Sequence, residues 1–399
     1  MKQYDILIIG GGAAGLAAAV SARKENNNIK IGIVEKSDRV AKKIHATGNG
    51  RCNFTNMDIK SDYFYGDRAF VEKILAQFGT EEALLFFKEL GIMHRVEDNR
   101  VYPLSNQASA VADCLRLYLT ENNVDFITET FVSELERTPN GFKVGDIEAK
   151  KVIVATGGKA QPNLGSDGSG YKLLEQFGHT PTPVRCALVS LKTENRITKL
   201  LKGVKVFARV TLFEKEKQVA SDRGEMLFTD YGVSGIPVMQ ISRFAKKGMI
   251  LEIDMLPDLS RKEALAEIYE RVYNLPEREG AELFSGLVNK KIAIPMLKYA
   301  GVEKTSAKAK SFTDENIRKC GGFLKKLQLP VLGDNGFENA QVSAGGIELS
   351  GFYPHSMESK LMPGLYAAGE ILDVDAICGG YNLHWAWATG VLAGKSAAK

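Results

Sequence analysis

The first fifteen residues constrain this chain more than any other stretch. Tyr4-Asp5-Ile6-Leu7-Ile8-Ile9 runs directly into Gly10-Gly11-Gly12-Ala13-Ala14-Gly15, and Leu16 to Ala22 continues in small, helix-favouring residues. The pattern predicts a strand, a glycine turn and a helix. Gly10 permits the tight turn, Gly12 lets backbone amides approach a pyrophosphate, and Gly15 lets the helix pack close to the strand. Free amides at the helix N-terminus add partial positive charge. A dinucleotide is the natural ligand of such a turn, although glycine clusters also mark ordinary turns and the context has to decide.

The context supports it. A second strand-like run, Ile29 to Val34, ends in Glu35, twenty residues after Gly15. An acidic side chain there can accept hydrogen bonds from both hydroxyls of an adenosine ribose, and it would repel a 2′-phosphate, which disfavours NADP at this site.

Charge and size bound the remaining classes. The 399 residues can bury a large core. Fifty-two Lys and Arg against 48 Asp and Glu leave a net charge of +4, too little on a chain this long to argue for nucleic acid or an anionic membrane as a partner. No apolar run approaches the roughly 20 residues that span a bilayer. The first strand begins almost at once, with no charged and apolar leader ahead of it, so the chain reads as cytoplasmic. Cys52, Cys114, Cys186, Cys320 and Cys378 show no CxxC spacing, which fits reduced thiols, and the lack of CxxxxC removes the redox-active dithiol of disulfide reductases.

After Lys36 the polar block Ala46-Thr47-Gly48-Asn49-Gly50-Arg51-Cys52-Asn53 offers glycines for close backbone approach and an arginine that could meet a phosphate or a substrate carboxylate; the arginine could equally anchor the loop. Helices are expected over Asp67–Phe78, over Thr80–Leu90 with Thr80 as N-cap, and over Ser105–Thr120. A strand follows at Val124–Ile127, then a meander turning at Pro139-Asn140-Gly141. The buried strand Val152 to Ala155 ends in Thr156-Gly157-Gly158, a second place for backbone to approach a nucleotide or to make a plain turn. Gly165 to Tyr171 then opens a helix that runs to Gly178. From Leu188 to Ile253 the chain is strand-rich, with Gly224 to Gly235 read as a turn-rich loop. From Leu259 to Pro330 it reads as helical, with Ser260 as an N-cap and a lysine tract, Lys290 to Lys310, taken as a solvated face. Both stretches look like insertions in a larger domain.

The C-terminal block is more specific still. Leu365 to Ala368 reads as a strand, Gly369-Glu370 as the turn at its end, and Asn382 to Lys395 as a helix after Cys378-Gly379-Gly380-Tyr381. The amides and dipole of that helix can stabilise negative charge on the N1–C2=O edge of a reduced flavin. Plain packing accounts for Trp385 and Trp387.

The combination of IIGGGAAGLAAA, ATGNGRCNFTN, ATGG, GEMLFTDYGVSG and MESKLMPGLYAAGEILDVDAICGGYNLHWAWATG resembles the aminoacetone oxidase family of flavoproteins, which takes in relatives of a bile-acid reductase. The resemblance implies an α/β fold with a Rossmann-like FAD-binding domain of the glutathione-reductase type, residues 1–187 and 337–399. An inserted β-barrel-like subdomain, 188–258, and a helical subdomain, 259–336, interrupt it. Gly10, Gly12, Ala14 and Gly15 would lie at the FAD pyrophosphate and Glu35, with Lys36 beside it, at the adenosine ribose. Gly48, Arg51, Cys52, Thr156, Gly157, Gly369, Glu370, Asp375, Gly380, Tyr381, Asn382 and Leu383 would complete the cofactor site. His384 stands where the family pattern has glutamine.

The expected activity is that of an FAD-dependent oxidoreductase moving a hydride to or from the flavin on a small organic substrate; the alternative is a flavin-carrying binding or regulatory protein without turnover. One glycine-rich turn implies that NAD(P)H, where used, binds transiently beside the flavin. Arg51, Tyr231, Ser234 and Tyr381 are candidates for substrate contact, and His45 and Cys52 for moving a proton. No metal site is expected.

Overall fold

The computed structural model describes residues 2–399, which divide into two compact units, 2–186 with 340–399, and 187–339. In the first unit the strand Lys2–Ile9 lies between Ile31–Val34 and Ile147–Val154, all parallel. Asp125–Ile127 extends the sheet on one side. On the other, Leu365–Ala367 pairs in parallel with the end of Ile147–Val154, and the hairpin Glu136–Thr138 with Gly141–Val144 pairs antiparallel with its beginning. Among the described residues this makes a seven-stranded sheet. The central strand is covered on both faces, which is why Ile6, Leu7 and Ile8 read as an unbroken apolar run and are all buried.

The helix Ala13–Glu25 follows the glycine turn and packs against the last helix, Tyr381–Ala397. Small residues make this contact almost backbone on backbone. A Cβ on Gly390 would lie 2.3 Å from the Ala14 carbonyl oxygen, and one on Gly394 would lie 2.0 Å from that of Ala18. The two ends of the chain are thereby held together at the turn the sequence marked first.

Helix and strand positions follow the sequence with local corrections. The observed helix Thr80–Glu89 is capped by Gly79 rather than Thr80, because the Thr80 hydroxyl donates to the Asn56 carbonyl at 2.9 Å instead. Ser260 caps Arg261–Asn274 and accepts from the Glu263 amide at 3.2 Å.

In the second unit six strands close a barrel in the order Leu191–Thr193, Gly232–Gly235, Lys217–Phe228, Lys205–Glu214, Ile250–Asp254 and Leu327–Asp334. Its filling includes Val210, Leu212, Met226, Phe228, Leu251 and Ile253, all fully buried. Two expectations change here. Gly224 to Gly235, read as a loop, contributes to two strands, because its glycines mark close approach of neighbouring backbones. A Cβ on Gly232 would meet the Leu191 carbonyl oxygen at 2.2 Å, and one on Gly235 that of Glu225 at 2.6 Å. The stretch expected to be helical ends in the strand Leu327–Asp334, which closes the barrel. Its helices, Arg261–Asn274, Lys290–Tyr299 and Asp314–Lys325, bury Ile268, Met296 and Phe323 in the same hydrophobic core as the barrel strands rather than in a core of their own. No helix among the described residues is long and apolar enough to cross a membrane.

Candidate functional site

The glycine turn at residues 10–15 has three filled sides and one open side. A Cβ on Gly10 would lie 2.5 Å from the Ala155 carbonyl oxygen, one on Gly11 2.5 Å from Val40 Cγ1, and one on Gly15 1.9 Å from the Gly10 carbonyl oxygen. At Gly12 a Cβ would meet nothing within 4 Å. Gly10, with φ +107°, and Gly15 are thus glycines for the fold, whereas Gly12 faces space. Gly12 is also the N-cap of Ala13–Glu25 and carries no side-chain cap, so amides at that helix end lack a protein partner for a ligand to displace.

Glu35 sits at the rim of this turn. Its Oε2 accepts from the Gly11 amide and its Oε1 from the Ser37 amide, each at 2.8 Å. Each carboxylate oxygen keeps a second lone pair, so the group is oriented and still able to accept from two hydroxyls. Lys36 turns to Asp167, with Nζ 2.6 Å from its carboxylate. Lys36 and burial act on Asp167 in opposite directions, and the ammonium with two hydrogen bonds from Ser169 brings its carboxyl down to about 2.

The strand ending at Val154 delivers Ala155 and Thr156 beside Gly10. Thr156 Oγ1 is buried with no hydrogen-bond partner, as are Asn53 Oδ1 and the Tyr171 hydroxyl. All three atoms are closed off by the protein itself, and Thr156 Oγ1 packs against Gly170, where an added Cβ would lie 1.9 Å from it. Gly157, at φ +75°, continues the turn.

The C-terminal turn comes to the same place. A Cβ on Gly369 would lie 2.8 Å from Ala14 Cβ. Its amide donates to Thr389 Oγ1 at 2.9 Å and its carbonyl accepts from Trp385 Nε1 at 3.2 Å, so Trp385 clamps the turn as well as packing. Glu370 accepts from the Ser343 amide at 2.8 Å and pairs with Lys43 at 2.9 Å, both side chains about one-fifth exposed. Lys43, which no sequence motif marks, also donates to the Ala160 carbonyl at 3.2 Å. Nothing in the sequence pairs it with a carboxylate more than three hundred positions away.

The start of the last helix is held by side chains. Gly380, at φ +97°, has no room for a Cβ, which would lie 2.6 Å from the Thr55 carbonyl oxygen. Asn382 donates to the Ala376 carbonyl and accepts from its amide, each at 2.9 Å, so it ties the preceding turn rather than offering its amide to a ligand. Leu383 is half-buried and Asp375 is nearly fully buried. His384 is fully buried between Thr55 Oγ1, 2.8 Å from Nδ1, and the Phe78 carbonyl, 3.0 Å from Nε2. The carbonyl can only accept, so Nε2 carries the proton and Nδ1 accepts from Thr55. Burial pushes this imidazole down to about 4, so it is neutral at pH 7. It does the structural work of an amide side chain, one donor and one acceptor.

Arg51 pairs with Glu97 at 3.0 Å and stacks over the Tyr102 ring at 4.3 Å, contacts that tie its loop to the hairpin His94–Glu97 with Arg100–Pro103 while its side chain stays 37% exposed. One expected role changes. Cys52 is fully buried at φ +57°, and burial pushes its thiol up to about 12, so it moves no proton near neutral pH. Gly48, at φ +56°, shapes the same loop. Tyr231 and Ser234 belong to the barrel unit, where the Ser234 hydroxyl accepts from Ser190 at 2.8 Å. Among the described residues no cluster of His, Cys, Asp and Glu could hold a metal ion.

The sheet order, the glycine turn with its open face and the converging chain ends define a Rossmann-type dinucleotide-binding protein, with the architecture of an FAD-binding domain carrying an inserted barrel. The chain belongs to the family described as HI0933-like protein Rossmann domain, whose profile matches residues 4–396. It is 39% identical over 406 residues to a 3-dehydro-bile acid delta(4,6)-reductase of Clostridium scindens, covering 98% of each chain. It is 28% identical to a ribosomal RNA dihydrouridine synthase of Haemophilus influenzae, covering 98% of this chain and 97% of that one. Among solved structures, a 3-ketosteroid delta1-dehydrogenase of Sterolibacterium denitrificans, in complex with 1,4-androstadiene-3,17-dione, shares the fold. Its TM-score is 0.50 at 13% identity over 100% of both chains.

Proposed function

We propose that this chain is an FAD-dependent reductase that acts on a carbon–carbon double bond conjugated to a carbonyl in a small organic substrate, with NADH or NADPH as a transient electron donor. The observation that carries the cofactor assignment is the open face of Gly12, beside the Glu35 carboxylate that accepts from the Gly11 amide. When bound, FAD supplies the hydride chemistry. The chain's own residues supply the rest. Gly12 and the helix behind it bind the pyrophosphate, Glu35 the adenosine ribose, and the Lys43–Glu370 pair a carboxylate for the ribityl hydroxyls. The amides opening Tyr381–Ala397 stabilise negative charge at the flavin edge. The reaction class is taken from the reductase relative, whose likeness runs through the whole chain.

Purified protein should be yellow, and anaerobic NADH or NADPH should bleach it. Failure of both donors, with no turnover of any enone or amine, would remove the enzyme reading and leave a flavin-carrying binding protein. The five cysteines are unpaired, which suits work in the reducing cytoplasm.

A second reading follows from the dihydrouridine synthase relative, because the C5=C6 bond of uridine is also conjugated to a carbonyl. The chemistry is shared and only the substrate differs. We place the small molecule first because the net charge is only +4 and because, in the lysine tract, Lys308 and Lys310 are both engaged by Glu277. Oxidation of an amine, as in aminoacetone oxidase, would run the hydride in the opposite direction and is read by the same substrate screen.

A further inference from the structure

We propose that Tyr381 is the proton donor of this reaction, its phenol O–H protonating the substrate carbon next to the carbonyl. The inference rests on the reductase reading above.

Reduction of a conjugated double bond needs an acid as well as a hydride. Cys52 and His384 are sealed and are respectively a neutral thiol and a neutral imidazole at pH 7. The Tyr171 hydroxyl is sealed as well. Tyr381 differs from all three. It is the first residue of the helix Tyr381–Ala397 and only 6% exposed, yet its hydroxyl bonds to none of the described residues and is not closed off from solvent. A partnerless phenol on an otherwise buried ring suits a donor that waits for a ligand.

Its ring is packed against three neighbours. Tyr63 lies 5.1 Å away, centroid to centroid, and Phe64 lies 6.0 Å away edge-on. Gly379, at φ +143°, passes so close that a Cβ there would sit 2.8 Å from the ring, and Asn382 ties down the turn below it. Such a ring presents its hydroxyl without reorganisation. Among the groups facing it, Tyr63, Asp58 and Cys378 favour the protonated form and Arg100 the tyrosinate. Burial is the largest effect, and the phenol is pushed up to about 12, so it holds its proton throughout the neutral range. The Tyr63 hydroxyl donates to Asp58 at 2.9 Å, and Asp58 pairs with Lys60 at 2.7 Å, so Tyr63 is held in place beside the Tyr381 ring.

The step balances. The hydride from the reduced cofactor forms a C–H bond at the β-carbon, and the π pair of the double bond moves to the α-carbon. There a second C–H bond forms as the Tyr381 O–H bond breaks. The tyrosinate regains a proton from water, and the two electrons come from the NADH or NADPH that reduced the cofactor.

Tyr381→Phe in the FAD-loaded protein is the test, with His45→Gln as the rival donor. We expect Tyr381→Phe to keep wild-type FAD content and bleaching by NAD(P)H. Reoxidation by a conjugated enone should slow by about 10²- to 10⁴-fold, and exchange of deuterium from D₂O into the α-carbon of the saturated product should be lost. Unchanged reoxidation and exchange, or loss in His45→Gln alone, would overturn the assignment. Should Tyr381→Phe lose FAD, Tyr381→3-fluorotyrosine preserves the shape and makes the phenol more acidic; an exchange rate that does not move with it also overturns the assignment. Failure of the reductase reading shows differently, as a wild-type protein that neither reduces the enone nor exchanges the product, and it takes the assignment with it.

Discussion

Gly12→Ala separates the fold from the site. The position is the one residue of the glycine turn where an added methyl meets no protein atom within 4 Å. Its φ of −83° and ψ of −167° are open to any L-residue, so the backbone is not strained by the change. Two small effects on the free protein oppose each other. Alanine lowers the entropy of the unfolded chain, a gain of about 0.4–1 kcal/mol. It is also a poorer N-cap than glycine, a loss of similar size. Stability of the cofactor-free protein should therefore stay within about 0.5 kcal/mol of wild type. The methyl projects into the space assigned to the pyrophosphate, where overpacking costs about 1–3 kcal/mol. That is a loss of about five- to 150-fold in FAD affinity. Urea unfolding of the cofactor-free protein and titration with FAD followed by flavin fluorescence measure the two quantities separately. Wild-type FAD affinity in Gly12→Ala would refute the placement of the pyrophosphate, whereas loss of stability without FAD would refute the claim that this face is open.

Three other changes probe the supports of the site. Gly390→Ala sets a methyl 2.3 Å from the Ala14 carbonyl oxygen and should lower stability by about 1–3 kcal/mol in urea unfolding, the reverse of the Gly12 result. In a double-mutant cycle on urea midpoints, Lys43→Ala and Glu370→Ala should be coupled by about 0.5–3 kcal/mol, since the pair is mostly withdrawn from water; a coupling near zero would make it an ordinary surface pair. His384, whose folded value of about 4 lies below its ordinary 6.5, stays neutral where the unfolded chain takes up a proton. Stability that is complete above pH 6.5 should therefore fall as the pH drops toward 4, by up to about 1.4 kcal/mol per pH unit. Burial pushes His179 down as well and adds to the slope with the same sign. The His384 share is the part that disappears in His384→Gln, which can still donate to Phe78 and accept from Thr55.

The features legible in the sequence are those written in short-range pattern. The glycine turn, Glu35 at the end of its strand, the strand before Thr156 and the terminal helix could be placed because each is a local run with its own punctuation. The long-range pairings were not legible. Lys43 with Glu370 and Thr55 with His384 join residues hundreds of positions apart, and nothing local marks either member. The partners of Arg51 were equally hidden, since Glu97 and Tyr102 reach it from a hairpin whose docking only the fold reveals. Gly224 to Gly235 is a different case. A cluster of glycines signals a loop in sequence, whereas at Gly232 and Gly235 it records how near the next barrel strand lies. The strand Leu327–Asp334 was hidden in the same way, since a helical stretch precedes it and its partners are Ile250–Asp254 and Leu191–Thr193.

The most direct measurement of the central claim is anaerobic. Protein with its flavin reduced by NADH or NADPH is mixed with a conjugated enone, and the flavin spectrum is followed while the product is collected. The account predicts that the oxidised spectrum returns and that one saturated product forms for each flavin reoxidised. A protein that purifies without FAD and cannot be reconstituted with it, or a reduced flavin that no enone reoxidises, would contradict it.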